Sequence, residues 1–399
     1  MAKSKSPFFR EELMPQEEVL EVYQKSNKYS IGILKESDEN EKRIALSPIG
    51  VEILTNNGFE VYVEENAGEG ANFNNLQYSE AGAFIVKKDE VFRANVILKI
   101  SLFTNEEIEL LNSNHIIFST VNINELEEQY IQKLRQKKLT AISYELLKDK
   151  HDTHPIVQSM SEIAGSTSVL IAAELLSSNN NGKGEMLGGV SGVKPTEVVV
   201  IGAGTAGEFA ASTALGLGAD VKIFDTSVNR LRNIQKNLGQ KLFTSVLIDK
   251  LLYKSLLTAD VVIAALRNKP ESAIVPEEVV KRMKNNSVII DLSIDNGGFF
   301  ETSKLTNHKK PIYTKYGVIH YCVPNIPSRV ARTASYAISN ILTPLLKDIL
   351  DASNIKISIK TDAGLQNGIY LYQGILTCST IGEEFNIPYK DINLLSAAF

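Results

Sequence analysis

Apolar and polar positions alternate along the chain in two kinds of run. Short apolar, often β-branched stretches are bounded by polar turns and read as strands: Ser30 to Lys35 (SIGILK), Glu60 to Glu64, Asn95 to Ser101 (NVILKIS), Ile116 to Thr120 and Thr140 to Tyr144. Helices are predicted between them. Ser47 followed by Pro48 is an N-cap with proline at the first helical position, so a helix should run to about Asn57 and stop at Gly58. Others are predicted near Asn105–Leu111 and Glu125–Lys138. This alternation predicts a doubly wound α/β domain. Ser161 to Ser178 then shows apolar residues at helical spacing, which predicts a long helix into a second domain. Gly184 to Gly192 reads as a glycine-rich hairpin arm.

The second domain opens at Glu197 to Asp225, EVVVIGAGTAGEFAASTALGLGADVKIFD. Val198 to Ile201 suits a strand buried on both faces. Gly202-Ala203-Gly204-Thr205-Ala206-Gly207 follows at once as G-x-G-x-x-G. Gly202 permits a tight strand-to-helix turn, Gly204 lets a pyrophosphate approach the backbone, and Gly207 lets helix and strand pack closely. The helix N-terminus at Thr205 and Ala206 offers N–H groups to that phosphate. Asp225 ends the next strand about 20 residues on, where an acid hydrogen-bonds a ribose 2′-hydroxyl and repels a 2′-phosphate. The glycines alone are a weak signal. With strand, small-residue helix, second strand and acid in order, they point to a dinucleotide, NAD rather than NADP. A helix is expected at Val228–Leu238 and another at Glu277–Met283, with strands at Asp260–Ala264 and Ser287–Asp291. Ala331 to about Leu350 is a second long helix, and the tail to Phe399 completes the first domain.

The expected architecture is therefore two doubly wound Rossmann-like α/β domains with a cleft between them, linked by two long helices that act as the hinge. Residues 1–28 form an N-terminal arm, 29–160 with 331–399 the substrate domain, and 161–330 the nucleotide domain. The 399 residues suffice for large cores. A net charge of −5 argues against a general nucleic-acid or acidic-membrane binder. The two cysteines, Cys322 and Cys378, have no metal or redox spacing, and a reducing compartment is the simple reading. No apolar run reaches the length of a membrane span and no secretory signal opens the chain, so a cytoplasmic protein is expected. Of the histidines, His115 and His308 are expected to be exposed and His320 structural. His151 and His154 lie near the first long helix as candidate replacement acid/base groups, with a solvated loop the stronger reading. No cluster supports a metal site.

Six segments carry a resemblance to a known family: Gly32 to Pro48 (GILKESDENEKRIALSP, with Leu34 where a proline is common), Ala67 to Phe73 (AGEGANF), Ser159 to Gly165 (SMSEIAG), the nucleotide motif, Asp291 to Glu301 (DLSIDNGGFFE) and His320 to Asn340. In this order they resemble the alanine dehydrogenase and NAD(P) transhydrogenase family from about Tyr29 onward. Ser161-Glu162, Asp295 and Tyr321 to Asn325 look more like the dehydrogenases. The resemblance implies NAD-dependent oxidation of L-alanine or a similar small L-amino acid to its 2-oxo acid and ammonia, by a homo-oligomer, a hexamer or dimer. Arg43 would bind the substrate carboxylate, as a guanidinium fork suits. Asp295 would lie beside the nicotinamide and substrate, Ser161 and Asn325 near the nicotinamide, and Arg230 near the adenosine ribose.

Two departures matter. Where the family carries a substrate-binding lysine this chain has Ser101, and where it carries an acid/base histidine it has Asn122. Neither side chain titrates usefully near neutral pH, although both hydrogen-bond. Asp295 is then a candidate base with Ser101 and Asn122 orienting the substrate, or Lys99 swings into the vacated space. Two alternatives lose deamination altogether: an NAD-binding regulatory protein, and a hydride-transfer subunit of the transhydrogenase kind.

Overall fold

The apolar runs become the central strands of two sheets. The computed structural model describes residues 29–123, 126–266, 275–351 and 355–396, and the arm expected over residues 1–28 lies outside them. In the first domain these strands are β1 (Ser30–Ile33), β2 (Glu60–Glu64), β3 (Phe84–Val86), β4 (Val96–Leu98), β5 (Ile116–Ser119) and β6 (Thr140–Ser143). The second contains β7 (Glu197–Ile201), β8 (Asp220–Asp225), β9 (Phe243–Val246), β10 (Val261–Ala264), β11 (Val288–Asp291), β12 (Ile312–Lys315) and β13 (Val318–Tyr321). The chain then returns, and β14 (Ile369–Tyr372) and β15 (Ile375–Leu376) complete the first sheet.

The strand orders are β15-β14-β6-β5-β4-β1-β2-β3 and β12-β13-β11-β10-β7-β8-β9. In both, the first strand lies between the second and fourth, and the neighbours around it run parallel. Among the described strands the antiparallel pairs are β12–β13, β14–β15 and β14–β6. This is the doubly wound order, whose reversal leaves a crevice at the carboxyl ends of the strands. One crevice opens between β1 and β4, the other between β7 and β10. β7, β10 and β11 are buried throughout, as parallel strands covered on both faces must be.

Helix starts follow the residues that favour them. Ser47 accepts a hydrogen bond from the Gly50 N–H and Pro48 opens the helix Pro48–Asn56. The first long helix begins at Pro155 rather than Ser161 and runs to Leu176, so Ser161 lies inside it. It packs on the helix Thr205–Gly216 and on the second long helix, Ala331–Asp351. Among the described residues it is the one helix long and apolar enough to cross a membrane. That corrects the length read from the sequence. The arm at Gly184–Gly192 is not a paired hairpin. Gly184, Gly188, Gly189 and Gly192 all adopt positive φ, which breaks an extended run, and a lone bridge joins Val190 to Val193. The partly exposed edge strands β3, β9 and β12, which carry little apolar signal, escaped the sequence reading, as did β13, β14 and β15.

The contact between Pro155–Leu176 and Thr205–Gly216 is close because Gly165 has no side chain. A Cβ there would stand 2.2 Å from the Ala206 carbonyl oxygen. Backbone cannot yield cheaply, so Gly165→Ala should destabilise the protein by about 1–3 kcal/mol. Urea unfolding followed by circular dichroism measures this, with a lower midpoint and an unchanged slope expected.

Candidate active site

Both crevices face one cavity of about 860 Å³. Its walls come from loops at the carboxyl ends of strands. After β1 come Ser37, Asp38, Asn40, Glu41 and Arg43, after β4 Lys99 and Ser101, after β5 Thr120 and Asn122, and after β6 Tyr144 and Glu145. The nucleotide domain adds Ala206, Leu266, Asp295, His308 and Asn325, and the helix Pro155–Leu176 adds Ser161. Five residues singled out in the sequence for the chemistry, Arg43, Ser101, Asn122, Asp295 and Asn325, thus share one cavity although they are far apart in the chain.

Arg43 is held from one side. Its Nε donates to Glu41 Oε1 at 2.8 Å and its Nη2 to Oε2 at 2.5 Å. The Glu41 carboxylate also accepts from the Arg43 backbone N–H at 2.9 Å and, across the cleft, from Asn325 Nδ2 at 2.8 Å. Desolvation works against the charged Glu41, but the Arg43 charge and these hydrogen bonds prevail and hold its pKa below the usual carboxylate value. Burial likewise opposes the guanidinium, and Glu41 more than offsets it. The Nη1 edge of Arg43 is not used in this pairing. Asn325 adopts a left-handed conformation, φ 55°, which asparagine tolerates. The same seam is stitched by Ser328, which accepts from the Lys42 N–H at 2.8 Å and donates to the Asn40 carbonyl at 2.7 Å.

Lys99 does not extend into the space beside Ser101. Its ammonium donates to Glu107 Oε2 at 2.7 Å and to Ser37 Oγ at 3.1 Å, and the pair is fully buried. Glu107 also receives Lys88 at 2.9 Å. Desolvation raises its pKa, yet the Lys99 charge and the hydrogen bonds outweigh this and lower it. Ser101 instead meets a carboxylate that the sequence reading passed over. Its Oγ donates to Glu36 Oε2 at 2.5 Å and its N–H to the same oxygen at 3.1 Å, while the Ile100 N–H binds Oε1 at 2.6 Å. Desolvation, then the nearby Glu41 charge, pushes the Glu36 carboxyl up to about 7 despite the Ser101 bond and the Lys99 charge. Tyr144 lines the same wall, is 1 % exposed, and its hydroxyl has no hydrogen-bond partner. Glu36, Glu41 and Glu145 stand among charges and turn residues typical of solvated loops, which is why sequence alone does not mark them.

On the nucleotide side, Gly202 turns with φ +110°, and a Cβ at Gly204 would meet nothing within 4 Å. That open face lies at the N-terminus of Thr205–Gly216, where Gly204 provides no side-chain cap. Gly207 packs so closely that a Cβ would stand 1.8 Å from the Gly202 carbonyl oxygen. Asp225 ends β8 but is fully buried, accepting from the Ala203 N–H at 2.6 Å and the Ser227 N–H at 2.7 Å. It braces the glycine loop. Arg230 is exposed on the helix Val228–Leu238, off the cavity wall. Ser161 Oγ donates back to the Val157 carbonyl at 2.8 Å.

The histidines correct two expectations. His115 is buried rather than exposed, with Nε2 3.0 Å from the Phe92 carbonyl oxygen. His308 is half-buried on the cavity wall, and desolvation lowers its pKa. His320 is buried against Thr302 and pushed down to about 4 by desolvation, hence neutral at pH 7. His151 and His154 do not line the cavity.

The Lys99–Glu107 pair should behave as structure. Lys99→Met takes from buried Glu107 the closer of its two lysines, leaving Lys88, and should cost about 3 kcal/mol at pH 7, read by urea unfolding. Glu107 has a depressed folded pKa, so its contribution is complete above its ordinary value of 4.5 and is lost as pH falls through the folded value. The difference between wild type and variant should therefore narrow in acid.

The chain matches two family models, "Alanine dehydrogenase/PNT, N-terminal domain" over residues 32–164 and "Alanine dehydrogenase/PNT, C-terminal domain" over residues 168–379. Alanine dehydrogenase 2 of Staphylococcus aureus (strain Mu50) is 37 % identical over 366 residues, 91 % of this chain and 98 % of the relative. Among solved structures, an L-alanine dehydrogenase superposes with a TM-score of 0.84 at 33 % identity, covering 90 % of this chain and 99 % of that one. A transhydrogenase from Sinorhizobium meliloti gives 0.72 at 26 % identity, covering 87 % and 98 %. With both domain models matched in order, and a relative of this identity aligned along almost its whole length, the chain belongs to the alanine dehydrogenase/PNT family.

Proposed function

We propose that the protein is an NAD-dependent amino-acid dehydrogenase that oxidises L-alanine or a similar small L-amino acid to its 2-oxo acid and ammonia. The observation that carries this reading is the cavity itself. It joins an arginine with an unused edge, hydrogen-bonding groups and the mouth of a glycine loop at the switch points of two doubly wound sheets. The glycine loop suits a dinucleotide, since the face of Gly204 is open and the helix behind it has no side-chain cap. Gly202, Gly204, Thr205, Ala206 and Gly207 would hold the pyrophosphate, and Ser161 and Asn325 would lie near the nicotinamide. What the bound NAD supplies is a hydride acceptor.

The chain's own residues do the rest. Arg43 would take the substrate carboxylate on its Nη1 edge while Glu41 fixes the other. Ser101 and Asn122 would hydrogen-bond the amino group or the carbonyl oxygen that replaces it. Asp295, on the opposite wall, would orient the substrate. Closure of the walls would exclude water. Lys99 is engaged by Glu107 and is assigned no substrate contact. The seam through Ser328 and Asn325 makes the helix Ala331–Asp351 the natural hinge.

NADH formation with alanine, serine and glycine at alkaline pH tests this reading, beside NAD affinity measured by fluorescence. Turnover of at least one amino acid is expected, with Arg43→Lys raising KM about 10–100-fold and leaving NAD affinity unchanged. Tight NAD binding with no turnover of any amino acid contradicts the dehydrogenase reading and favours a regulatory protein. Hydride exchange between two nicotinamides in its place favours the transhydrogenase kind.

A further inference from the structure

The dehydrogenase reading needs a proton carrier, and Ser101 and Asn122 do not titrate near neutral pH. Resting on that reading, we propose that Ser101 and Glu36 form a proton relay, in which Ser101 faces the substrate nitrogen and Glu36 behind it accepts the proton. Three observations carry it. Ser101 lines the cavity, whereas Glu36 lies off the wall and reaches the cavity through Ser101. The Ser101 Oγ to Glu36 Oε2 separation of 2.5 Å is that of a strong O–H···O⁻ bond. The Ile100 and Ser101 N–H groups fix both carboxylate oxygens from behind, so the carboxyl cannot swing away.

The groups around Glu36 set its charge. Glu41 and Arg43 face it from the segment after β1, Lys99 from the end of β4, and Tyr144 from the end of β6, with Glu145 beside Arg43. Glu41 is spent on Arg43, and Lys99 on Glu107. Among the described residues no cation pairs directly with Glu36, and burial, then the Glu41 charge, pushes its carboxyl up to about 7, where a proton acceptor is most useful.

In the oxidative direction, one N–H bond of the substrate ammonium breaks and its proton bonds to Ser101 Oγ. The proton of Ser101 passes to Glu36 Oε2 in the same step. The resulting amine then releases hydride from Cα to NAD, which is reduced as the amino acid is oxidised to the iminium. Glu36 returns its proton through Ser101 to water in the cavity, which accounts for the one proton the overall reaction liberates. The reductive direction runs the same path backwards.

Infrared difference spectra between acid and alkaline pH, recorded on wild type and Glu36→Gln, test the carboxyl without turnover. A protonated carboxyl band that titrates near pH 7 and disappears in the variant is expected. A carboxylate that stays ionised from about pH 5 to 9 overturns the relay. In the oxidation assay, Glu36→Gln and Ser101→Ala should each lower kcat about 10²–10⁴-fold. Both should lose the acidic limb of the pH profile and keep NAD affinity. Ser101→Thr keeps the hydroxyl and should keep the limb. A limb that persists in Glu36→Gln and vanishes in His308→Gln overturns the relay in favour of the histidine. If wild type turns over no amino acid, the dehydrogenase reading fails, while the infrared titration still decides whether Glu36 carries the proton. Should Glu36→Gln not fold, Ser101→Ala tests the same path.

Discussion

The Glu41 carboxylate is the constraint on which the cavity depends. It binds Arg43 through two guanidinium nitrogens and the backbone, and it accepts Asn325 from the other domain. A buried ion pair of this kind returns little net stability, because desolvation of both charges offsets their attraction. Its value is geometric. It fixes the edge Arg43 presents, and it ties that edge to the segment that begins the return helix Ala331–Asp351. Anchor and hinge are therefore one hydrogen-bonded unit, extended by Ser328, by the Ile44 N–H bonded to Ser335, and by Ser47 bonded to Ser339.

The same pairing shapes the electrostatics. With Arg43 committed to Glu41 and Lys99 to Glu107, the cavity holds more carboxylates than available cations. Behind the wall, burial first and the Glu41 charge second make the Glu36 carboxyl easier to protonate. An anchor held by an acid and an acid left without a base are two consequences of one arrangement. Ser101 links them to the substrate side, at the position where the family resemblance would put a charged amine.

Much of this was legible in the residues. The apolar runs that became β1, β4, β5, β6, β7, β10 and β11 are buried strands, where the pattern is strongest, and β2 shows the alternation of a half-buried one. The Ser47-Pro48 start and the glycine motif carry their own stereochemistry. The site residues Arg43, Ser101, Asn122 and Asp295 follow those strands directly, which is where open sheets of this order collect ligands. What escaped was information held by partners. Lys99 reads as a mobile cation until Glu107 buries it. Glu36 and Glu41 read as loop charges until Ser101, Arg43 and Asn325 close on them. His115 reads as exposed until the Phe92 carbonyl covers it. Asp225 sits where the motif puts it, yet its carboxylate is spent on Ala203 and Ser227, a use that no spacing reveals.

The central claim, that the chain handles the reaction's proton on a cleft carboxyl, is tested most directly by counting protons on ligand binding. Pyruvate titrated calorimetrically into the NADH-loaded protein, in buffers of different ionisation enthalpy near pH 8, gives that count. An anion placed beside Glu36 favours its neutral form, so a net uptake approaching about one proton is predicted, absent in Glu36→Gln. Pyruvate binding with no proton uptake in the wild-type protein would contradict the account.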